Sequence, residues 1–255
     1  MRRFFVPHTQ IRGSHAVIDG DEFHHLRHVL RLHEGDRVAI QDDRGREYTG
    51  TITSLMSSAA EVTFHHRSSL PSPRFHLTLA IGLLKGQKVD LVIEKVTELG
   101  VDRIIPFTST FTVSQLPGDR QHDRLSRWQR ITHSAAKQSS STVPQILPPR
   151  TFNQLWDDIP STDATIMFYE QTQQTTLKTF ASEYPTLSSL YIIIGSEGGF
   201  STEEVNLAQQ HGSHIISLGS SILRAETASI VAVSLCRFLW DTDPVPPLPS
   251  QVHKT

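Results

Sequence analysis

The feature that most constrains the fold is a change in hydrophobic rhythm at residues 67–73, a segment rich in serine and proline. Before this segment, short β-branched stretches are separated by turn residues. After it, short apolar runs alternate with amphipathic stretches. Because such serine and proline clusters interrupt both helices and strands, we predict domains at 1–70 and 74–242. The prolines of residues 243–255 can neither extend a helix nor pair in a sheet, so we predict a disordered tail there.

The first region has the pattern of a small β-barrel. Its strand candidates are rich in β-branched residues and comprise Arg37–Gln41, Glu47–Ser54 and Glu61–Phe64. Turn residues at 42–45 separate the first two candidates. One helix is predicted near Glu22–Leu32.

The second region has the pattern of βαβ units, which predicts an α/β fold. Helices are predicted at Gly86–Gly100, where apolar residues recur at spacings of three and four, and at Ala225–Leu239. Ser201 and Glu204 have the spacing of a capping box at the start of another helix. The candidate strands are His76–Leu84, Arg103–Phe107, Thr165–Tyr169, Leu190–Ile194 and His214–Leu218.

The composition excludes several classes of protein. Apolar residues make up 37% and charged residues 20% of the 255-residue chain, which suits a packed core and excludes collagen-like and fully disordered chains. The apolar runs are far shorter than the roughly 18–20 residues of a bilayer span, and the amino terminus lacks the apolar stretch of a secretory signal. The single cysteine, Cys236, cannot form a disulfide within the chain. We therefore expect a cytoplasmic protein without a membrane partner.

The candidate site lies in the loops after the strands, because ligands of open α/β sheets bind beyond the carboxyl ends of the strands. One of these loops is Gly195–Ser201, whose glycines allow positive φ and a close approach of the backbone to a ligand. It matches neither the dinucleotide nor the nucleoside-triphosphate fingerprint. A tight β–α turn without a ligand is the alternative interpretation of this loop.

A second loop, Gly219–Ala228, places two apolar residues, an arginine and a glutamate just before a helix. This arrangement can form an apolar slot with polar edges, as small-ligand pockets do. In the alternative interpretation, Ile222 and Leu223 belong to the core and Arg224 pairs with Glu226 at the surface. Glu170 follows a third strand at the same edge of the sheet.

Together these two loops closely resemble the signature of the RsmE family, bacterial 16S ribosomal RNA uracil-N3 methyltransferases of the SPOUT superfamily. The likeness covers nearly the full chain. Further matching segments are His24–Leu32 with Gly35 and Asp36, Lys85–Lys88, Lys95–Val101, Ala135–Ser139, and Val143 with Pro144.

The resemblance implies a PUA-like β-barrel followed by a SPOUT-type methyltransferase domain, whose carboxyl-terminal part is tied in a trefoil knot, in a homodimer. It also implies methylation of N3 of a specific uridine in the 16S rRNA of the small ribosomal subunit, with S-adenosylmethionine as the cofactor. The donor-binding residues it implies are Tyr169, Glu170, Ile194, Gly195, Glu197, Gly198, Gly199, Leu218, Gly219, Ile222, Leu223, Arg224, Thr227 and Ala228.

Three residues are candidates for catalysis. When N3 of uracil loses its proton, negative charge spreads to O2 and O4, and a guanidinium offers planar donors for these oxygens. Arg224 is the candidate for this role. Glu197 and Glu226 can orient Arg224 or act near the sulfonium, and a structural ion pair is the alternative for both.

Local clusters of cations predict an RNA-binding surface, although the formal net charge of −2 counts against a simple polyanion binder. Arg27 and Arg31 lie four residues apart, so in a continuous helix they would share a face and bracket phosphates. The predicted RNA-binding residues are Arg2, Arg3, Arg27, Arg31, Arg124, Arg127 and Arg130.

Two further observations refine this interpretation. His24 and His28 also lie four residues apart, but the glutamate and spacing of a zinc-protease motif are absent, so no metal site is predicted. Ser109–Thr112 and Ser139–Thr142 depart from the family pattern, which usually has charged residues at these places. Both departures remove charge from a surface expected to face RNA or a dimer partner, whereas the methyl-donor motifs are intact.

Two rival functions remain open from the sequence. The first is a non-catalytic RNA-binding or ribosome-assembly factor that keeps the barrel and an inert knot. The second is a methyltransferase of small molecules, which would be active without RNA. Binding of S-adenosylmethionine and dependence on RNA discriminate among the three.

Overall fold

The computed structural model describes residues 1–42, 46–68, 75–112, 118–139, 141–159, 162–170 and 175–241. The predicted tail at 243–255 lies outside the described residues, as do positions 69–74 of the serine- and proline-rich segment. The described residues form two β-sheets, one on each side of that segment. The domain boundaries themselves stay predictions.

The first sheet has six strands in the order β1-β4-β5-β6-β3-β2. β1 and β4 run parallel, and the other neighbours run antiparallel. The inward residues alternate with exposed ones along β3 and β5, as expected when one face of a sheet is buried. The strands are β1 (Arg2–Val6), β2 (Ile11–Arg12), β3 (His15–Asp19), β4 (Arg37–Asp42), β5 (Glu47–Leu55) and β6 (Ala59–Ser68).

The prediction of a helix near Glu22–Leu32 is wrong at the carboxyl end of this range, because helical structure ends at Val29. The chain forms α1 (Gly20–His24) and one π-helical turn that ends at Val29. Arg31 then adopts φ 52°, and the Leu32 N–H donates to the Leu26 carbonyl at 3.1 Å, so the chain turns back. Leu26 and Leu32 both pack on the core of the first sheet, which explains the reversal. Arg27 and Arg31 therefore do not share a helix face.

The second sheet has seven strands, and every pairing in it is parallel. The order is β10-β8-β7-β12-β11-β13, and β9 also pairs with β8. All five predicted strands are confirmed within two residues at each end, whereas β9 and β10 are too short to show a hydrophobic pattern. The strands are β7 (His76–Gly82), β8 (Arg103–Thr108), β9 (Gln145–Ile146), β10 (Arg150–Thr151), β11 (Ala164–Phe168), β12 (Ser189–Ile194) and β13 (His214–Ile216).

Helices cover both faces of this parallel sheet. The two faces carry separate apolar clusters, so β11 and β12 are buried on both sides and read as continuous apolar runs. The predicted capping box is confirmed, because the Ser201 side chain accepts from the Glu204 N–H and Glu204 accepts from the Ser201 N–H. The helices are α2 (Lys88–Glu98), α3 (Gly118–Ser139), α4 (Leu155–Asp158), α5 (Leu177–Glu183), α6 (Thr202–Gln210) and α7 (Ala225–Trp240).

Helix α3 connects the two halves of the molecule. Its buried Trp128 donates from Nε1 to Asp90 Oδ1 of α2 at 2.9 Å, which fixes α3 on the second core. The same helix packs against β1 of the first sheet. Lys137 Nζ lies 2.6 Å from Glu22 Oε1 of α1, so an ion pair also joins the two halves.

Gly82, the last residue of β7, lies directly against the chain that follows β12. A Cβ at this position would lie 2.4 Å from the backbone nitrogen of Ser196. Only glycine lets the end of β7 and this segment pack so closely.

We therefore expect Gly82→Ala to lower the free energy of unfolding by about 1–3 kcal/mol, the usual cost of forcing an extra methyl group into a packed interior. Urea denaturation of the purified variant measures this change. An unfolding midpoint equal to that of the wild type would contradict the close approach at this position.

Candidate active site

A cavity of about 290 Å³ lies at the carboxyl ends of three neighbouring strands, β12, β11 and β13. Its walls are formed by most of the residues in the three segments 168–170, 194–200 and 217–228. Because these strands are adjacent and parallel, the chain segments that follow them meet at one edge of the sheet. The sequence-based expectation that Glu170 shares an edge with the two motif loops is confirmed.

All but two of the predicted donor-binding residues line this cavity. They come from all three walls and include both apolar and charged side chains. They are Tyr169, Glu170, Ile194, Gly195, Glu197, Gly199, Leu218, Gly219, Ile222, Leu223, Arg224 and Ala228.

Gly198 and Thr227 are the two predicted residues outside the cavity wall. A Cβ at Gly198 would lie 2.5 Å from the Cβ of Phe111, so this glycine is needed for packing against Phe111. Thr227 is exposed in the first turn of α7.

The loop of residues 195–200 is held by packing at its centre and by a helix cap at its end. Gly199 has φ 69°, which glycine adopts without strain, and a Cβ at Gly195 would lie 3.0 Å from the ring of Phe200. After the loop, Glu204 accepts from the Ser201 N–H at 2.9 Å and from the Thr110 N–H at 2.8 Å. These contacts fix the loop relative to β8 and α6.

Arg224 is the N-cap residue of α7 and lines the cavity with an exposed side chain. It makes no ion pair with any residue that the structure describes. The surface pair between Arg224 and Glu226, considered from the sequence, does not form. Its guanidinium is therefore available to a ligand in the cavity.

Lys88 joins the two catalytic carboxylate candidates instead. Its Nζ lies 3.2 Å from Glu197 Oε1 and 3.5 Å from Glu226 Oε1. The Lys85 N–H also donates to Glu197 Oε1, at 3.1 Å. Both acids thus form a structural ion pair, the alternative considered from the sequence, but with Lys88 and not with Arg224. A role for either acid in orienting Arg224 stays a prediction.

These contacts keep the acid and the ammonium ionised. The hydrogen bond to Glu197 raises the pKa of Lys88 above its usual value, and Glu226 adds to the effect. Partial burial opposes ionisation of Glu197, but hydrogen bonds from its own backbone N–H, from Lys85 and from Lys88 lower its pKa. Glu197 is therefore a weaker base than an ordinary glutamate.

Sequence analysis missed several residues of the site. Lys88 was noted only as part of a matching segment, and no local pattern indicates that it contacts Glu197, 109 residues further along the chain. The missed lining residues belong to strands and loops that the sequence did identify, so the strand ends were the available signal. They are Phe168, Ser196, Phe200, Ser217, Ser221 and Ala225.

The predicted RNA-binding arginines fall on two adjoining elements and one separate turn. Arg2 and Arg3 lie on β1, which packs against α3, and α3 carries Arg124, Arg127 and Arg130. Two of these cations are paired, Arg3 with Glu47 at 2.5 Å and Arg127 with Asp90 at 2.7 Å. Arg27 and Arg31 lie in and after the π-helical turn.

The two departures from the family pattern are local hydrogen-bonded structures. In Ser109–Thr112, the Thr112 N–H donates to the Ser109 carbonyl at 3.0 Å, and the Ser109 N–H donates to Thr112 Oγ1 at 2.7 Å. Ser141 Oγ donates to the Thr97 carbonyl at 2.9 Å, which joins the chain after α3 to α2. Hydroxyl groups therefore stabilise the turn at Ser109–Thr112 and hold Ser141 against α2.

Within the described parts of the chain, no three histidine, cysteine, aspartate or glutamate residues are grouped so that they could hold a metal ion. Among the helices of the same parts, none has the length and apolar character needed to cross a membrane.

Comparisons with known proteins agree with this architecture. The family model described as "RNA methyltransferase domain" matches residues 71–237, and the model described as "RNA methyltransferase PUA domain" matches residues 18–64. The protein named ribosomal RNA small subunit methyltransferase E in Bacillus subtilis strain 168 is 31% identical, over 92% of this chain and 95% of its own length. Its namesake in Synechocystis sp. is 30% identical, over 94% of this chain and 78% of its own length.

A solved structure agrees as well. The crystal structure of a ribosomal RNA small subunit methyltransferase E from Neisseria gonorrhoeae, bound to S-adenosylmethionine, has a TM-score of 0.79 at 28% identity. The match covers 94% of this chain and 98% of that one. The resemblance to the RsmE family is thus confirmed, and the chain belongs to the family of ribosomal RNA small subunit methyltransferase E proteins.

Proposed function

We propose that this chain transfers a methyl group from S-adenosylmethionine to N3 of a specific uridine in the 16S rRNA of the small ribosomal subunit. The observation that carries the proposal is the cavity at the ends of β11, β12 and β13, with the unpaired guanidinium of Arg224 in its wall. The homologue from Neisseria gonorrhoeae binds this donor, and the relatives are named for small-subunit rRNA.

The residues of the cavity fit this donor. Its volume of about 290 Å³ is near the lower end of the roughly 300–1,000 Å³ of small-molecule sites. Ile222 is 83% exposed and gains burial when an adenine packs between it and Leu223. The Glu170 carboxylate can accept hydrogen bonds from the ribose hydroxyls. The bound donor supplies an electrophilic methyl group on a sulfonium centre.

Arg224 acts on the acceptor. The transfer requires N3 of uracil to lose its proton, and the charge that remains is shared by O2 and O4. A guanidinium without a competing carboxylate can donate two parallel hydrogen bonds to such oxygens. Lys88 supports this arrangement indirectly, because it occupies Glu197 and Glu226 and leaves Arg224 free of both.

The RNA-binding surface comprises β1 and the exposed flank of α3. Arg124 and Arg130 of α3 make no ion pair with described residues, whereas Arg3 and Arg127 are partly neutralised. We assign phosphate contacts first to the two unpaired arginines, and then to Arg2 of β1, a strand that packs against α3. Arg27 and Arg31 form a second, separate group.

A homodimer, a trefoil knot and a cytoplasmic location complete the proposal. Support for the dimer comes from α7, where Phe238 is 83% exposed and Leu235 and Leu239 are 39% and 37% exposed. Apolar side chains exposed together on one helix mark an interaction surface. The knot rests on the family resemblance, and the location on the single cysteine, which cannot form a disulfide within the chain.

The catalytic function is favoured over a non-catalytic RNA-binding factor. A protein that only binds RNA does not need a cavity at the strand ends. It also does not need Arg224 in the wall of that cavity without an ion pair to any described residue. The basic flank of α3 favours RNA over a small molecule as the acceptor.

We expect Arg224→Ala to lower kcat for methylation of small ribosomal subunits by about 10²–10³-fold, as when one donor to a developing oxyanion is removed. The dissociation constant of S-adenosylmethionine should change by less than about threefold if Arg224 acts mainly on the acceptor. Single-turnover methylation and calorimetry measure the two quantities. Arg224→Lys, which keeps the charge but not the planar pair of donors, should recover only part of the rate. Equal losses in turnover and donor affinity would contradict the assignment.

We expect Arg124→Gln and Arg130→Gln each to weaken RNA binding and to reduce the slope of log K against log salt by about 0.7–0.9, the value for one phosphate contact. Lys178→Gln is the matched control, because Lys178 is an exposed cation on α5, outside the predicted surface. Filter binding at several salt concentrations measures the slopes. Equal slopes in all three variants would place the RNA elsewhere.

We expect Phe238→Glu to dissociate the dimer, because the charge would be buried against an apolar partner surface. Sedimentation equilibrium measures the mass. Val29→Glu is the control, since Val29 is 61% exposed but lies in the first half of the molecule. A wild-type protein that is monomeric at micromolar concentration would refute the proposed dimer.

A further inference from the structure

Ser196 is a buried residue of the cavity wall whose hydroxyl forms no hydrogen bond with the described residues. The residue is 6% exposed, and its Oγ is buried without a hydrogen-bond partner among the residues that the structure describes. A buried hydroxyl without a partner costs about 1–3 kcal/mol, so such groups are uncommon in folded proteins.

The backbone holds Ser196 firmly at this place. Its amide lies against Gly82 at the end of β7, where no side chain fits between the two segments. Its carbonyl accepts from the Gly199 N–H at 3.0 Å. The residue therefore cannot swing out to water without disturbing both contacts, and only rotation about the Cα–Cβ bond can redirect the hydroxyl.

Ser217, another serine of the same cavity, differs from Ser196 because its hydroxyl is hydrogen-bonded within the protein. Ser217 Oγ accepts from the Gly219 N–H at 3.2 Å and donates to the Gly219 carbonyl at 2.9 Å, so it stabilises its own turn. Ser196 makes no equivalent local bond. Its hydroxyl is a donor and acceptor on a residue of the cavity wall, and no described residue satisfies it.

We propose that the Ser196 hydroxyl forms a hydrogen bond with the bound methyl donor and thereby sets part of the donor affinity. The inference rests on the proposed function, because it takes S-adenosylmethionine as the ligand. In the free protein the hydroxyl is a local cost, and in the complex it gains a partner. Residues that serve a ligand at the expense of stability behave in this way.

The test combines donor affinity with stability of the ligand-free protein. We expect Ser196→Ala to raise the dissociation constant of S-adenosylmethionine by about three- to tenfold in calorimetry, as expected for one neutral hydrogen bond. The melting temperature of the ligand-free variant should equal or exceed that of the wild type, because an unpaired buried hydroxyl is removed. The melting-temperature increase caused by the donor should shrink accordingly.

Ser213→Ala is the matched control. Ser213 is 7% exposed and its Oγ is also buried without a partner among the described residues, but it lies before β13, outside the cavity wall. This variant should keep the wild-type donor affinity. Both variants remove a buried hydroxyl, so a difference between them isolates the effect of the cavity.

Four results would overturn the inference, and the last of them also overturns the proposed function. Unchanged donor affinity in Ser196→Ala, or equal weakening in Ser213→Ala, contradicts a hydrogen bond from Ser196. A melting temperature several degrees lower in ligand-free Ser196→Ala shows that the hydroxyl supports the fold. A wild-type protein that fails to bind the donor at millimolar concentration overturns the proposed function as well, and is thereby distinguished from the other three results.

Discussion

The parallel pairing of β11 with β12 on one side and β13 on the other is the constraint on which the rest of the structure depends. Because of this pairing, the three chain segments that follow these strands lie at the same edge of the sheet, where they enclose the cavity. Both faces of these strands are buried, so their register is fixed by two apolar clusters at once. A shift of one residue would turn buried side chains to the opposite cluster and would move the loop ends that form the site.

The polar groups at this edge of the sheet fall into two sets, those that pair with other side chains and those that do not. Lys88, Glu197 and Glu226 satisfy one another and connect the start of α2, the glycine-rich loop and the first turn of α7. Arg224 and the hydroxyl of Ser196 have no such partners among the described residues. The first set stabilises the walls of the cavity, and the second set is left to interact with a ligand.

Much of this could be predicted from the sequence. The five main strands, the capping box at Ser201 and the meeting of Glu170 with the two motif loops follow from hydrophobic runs and from the geometry of parallel sheets. Most of the donor-binding set came from the family motifs and lines the cavity. Each of these signals comes from residues that are close together in the chain, or depends only on where a strand ends.

The features that could not be predicted from the sequence depend on contacts between residues that are far apart in the chain. Lys88 contacts Glu197, 109 positions further along the chain, and Gly198 packs closely against Phe111. The spacing of Arg27 and Arg31 indicated a shared helix face, but burial of Leu26 and Leu32 reverses the chain between them. The burial of Ser196 involves its contact with Gly82, which is far from it in the sequence.

The crystal structure of this protein grown with S-adenosylmethionine is the most direct measurement of the central claim. We expect density for the donor among the segments 168–170, 194–200 and 217–228, which form the cavity. Density for the donor at another surface, or side chains of the cavity closed upon one another at saturating donor, would contradict it.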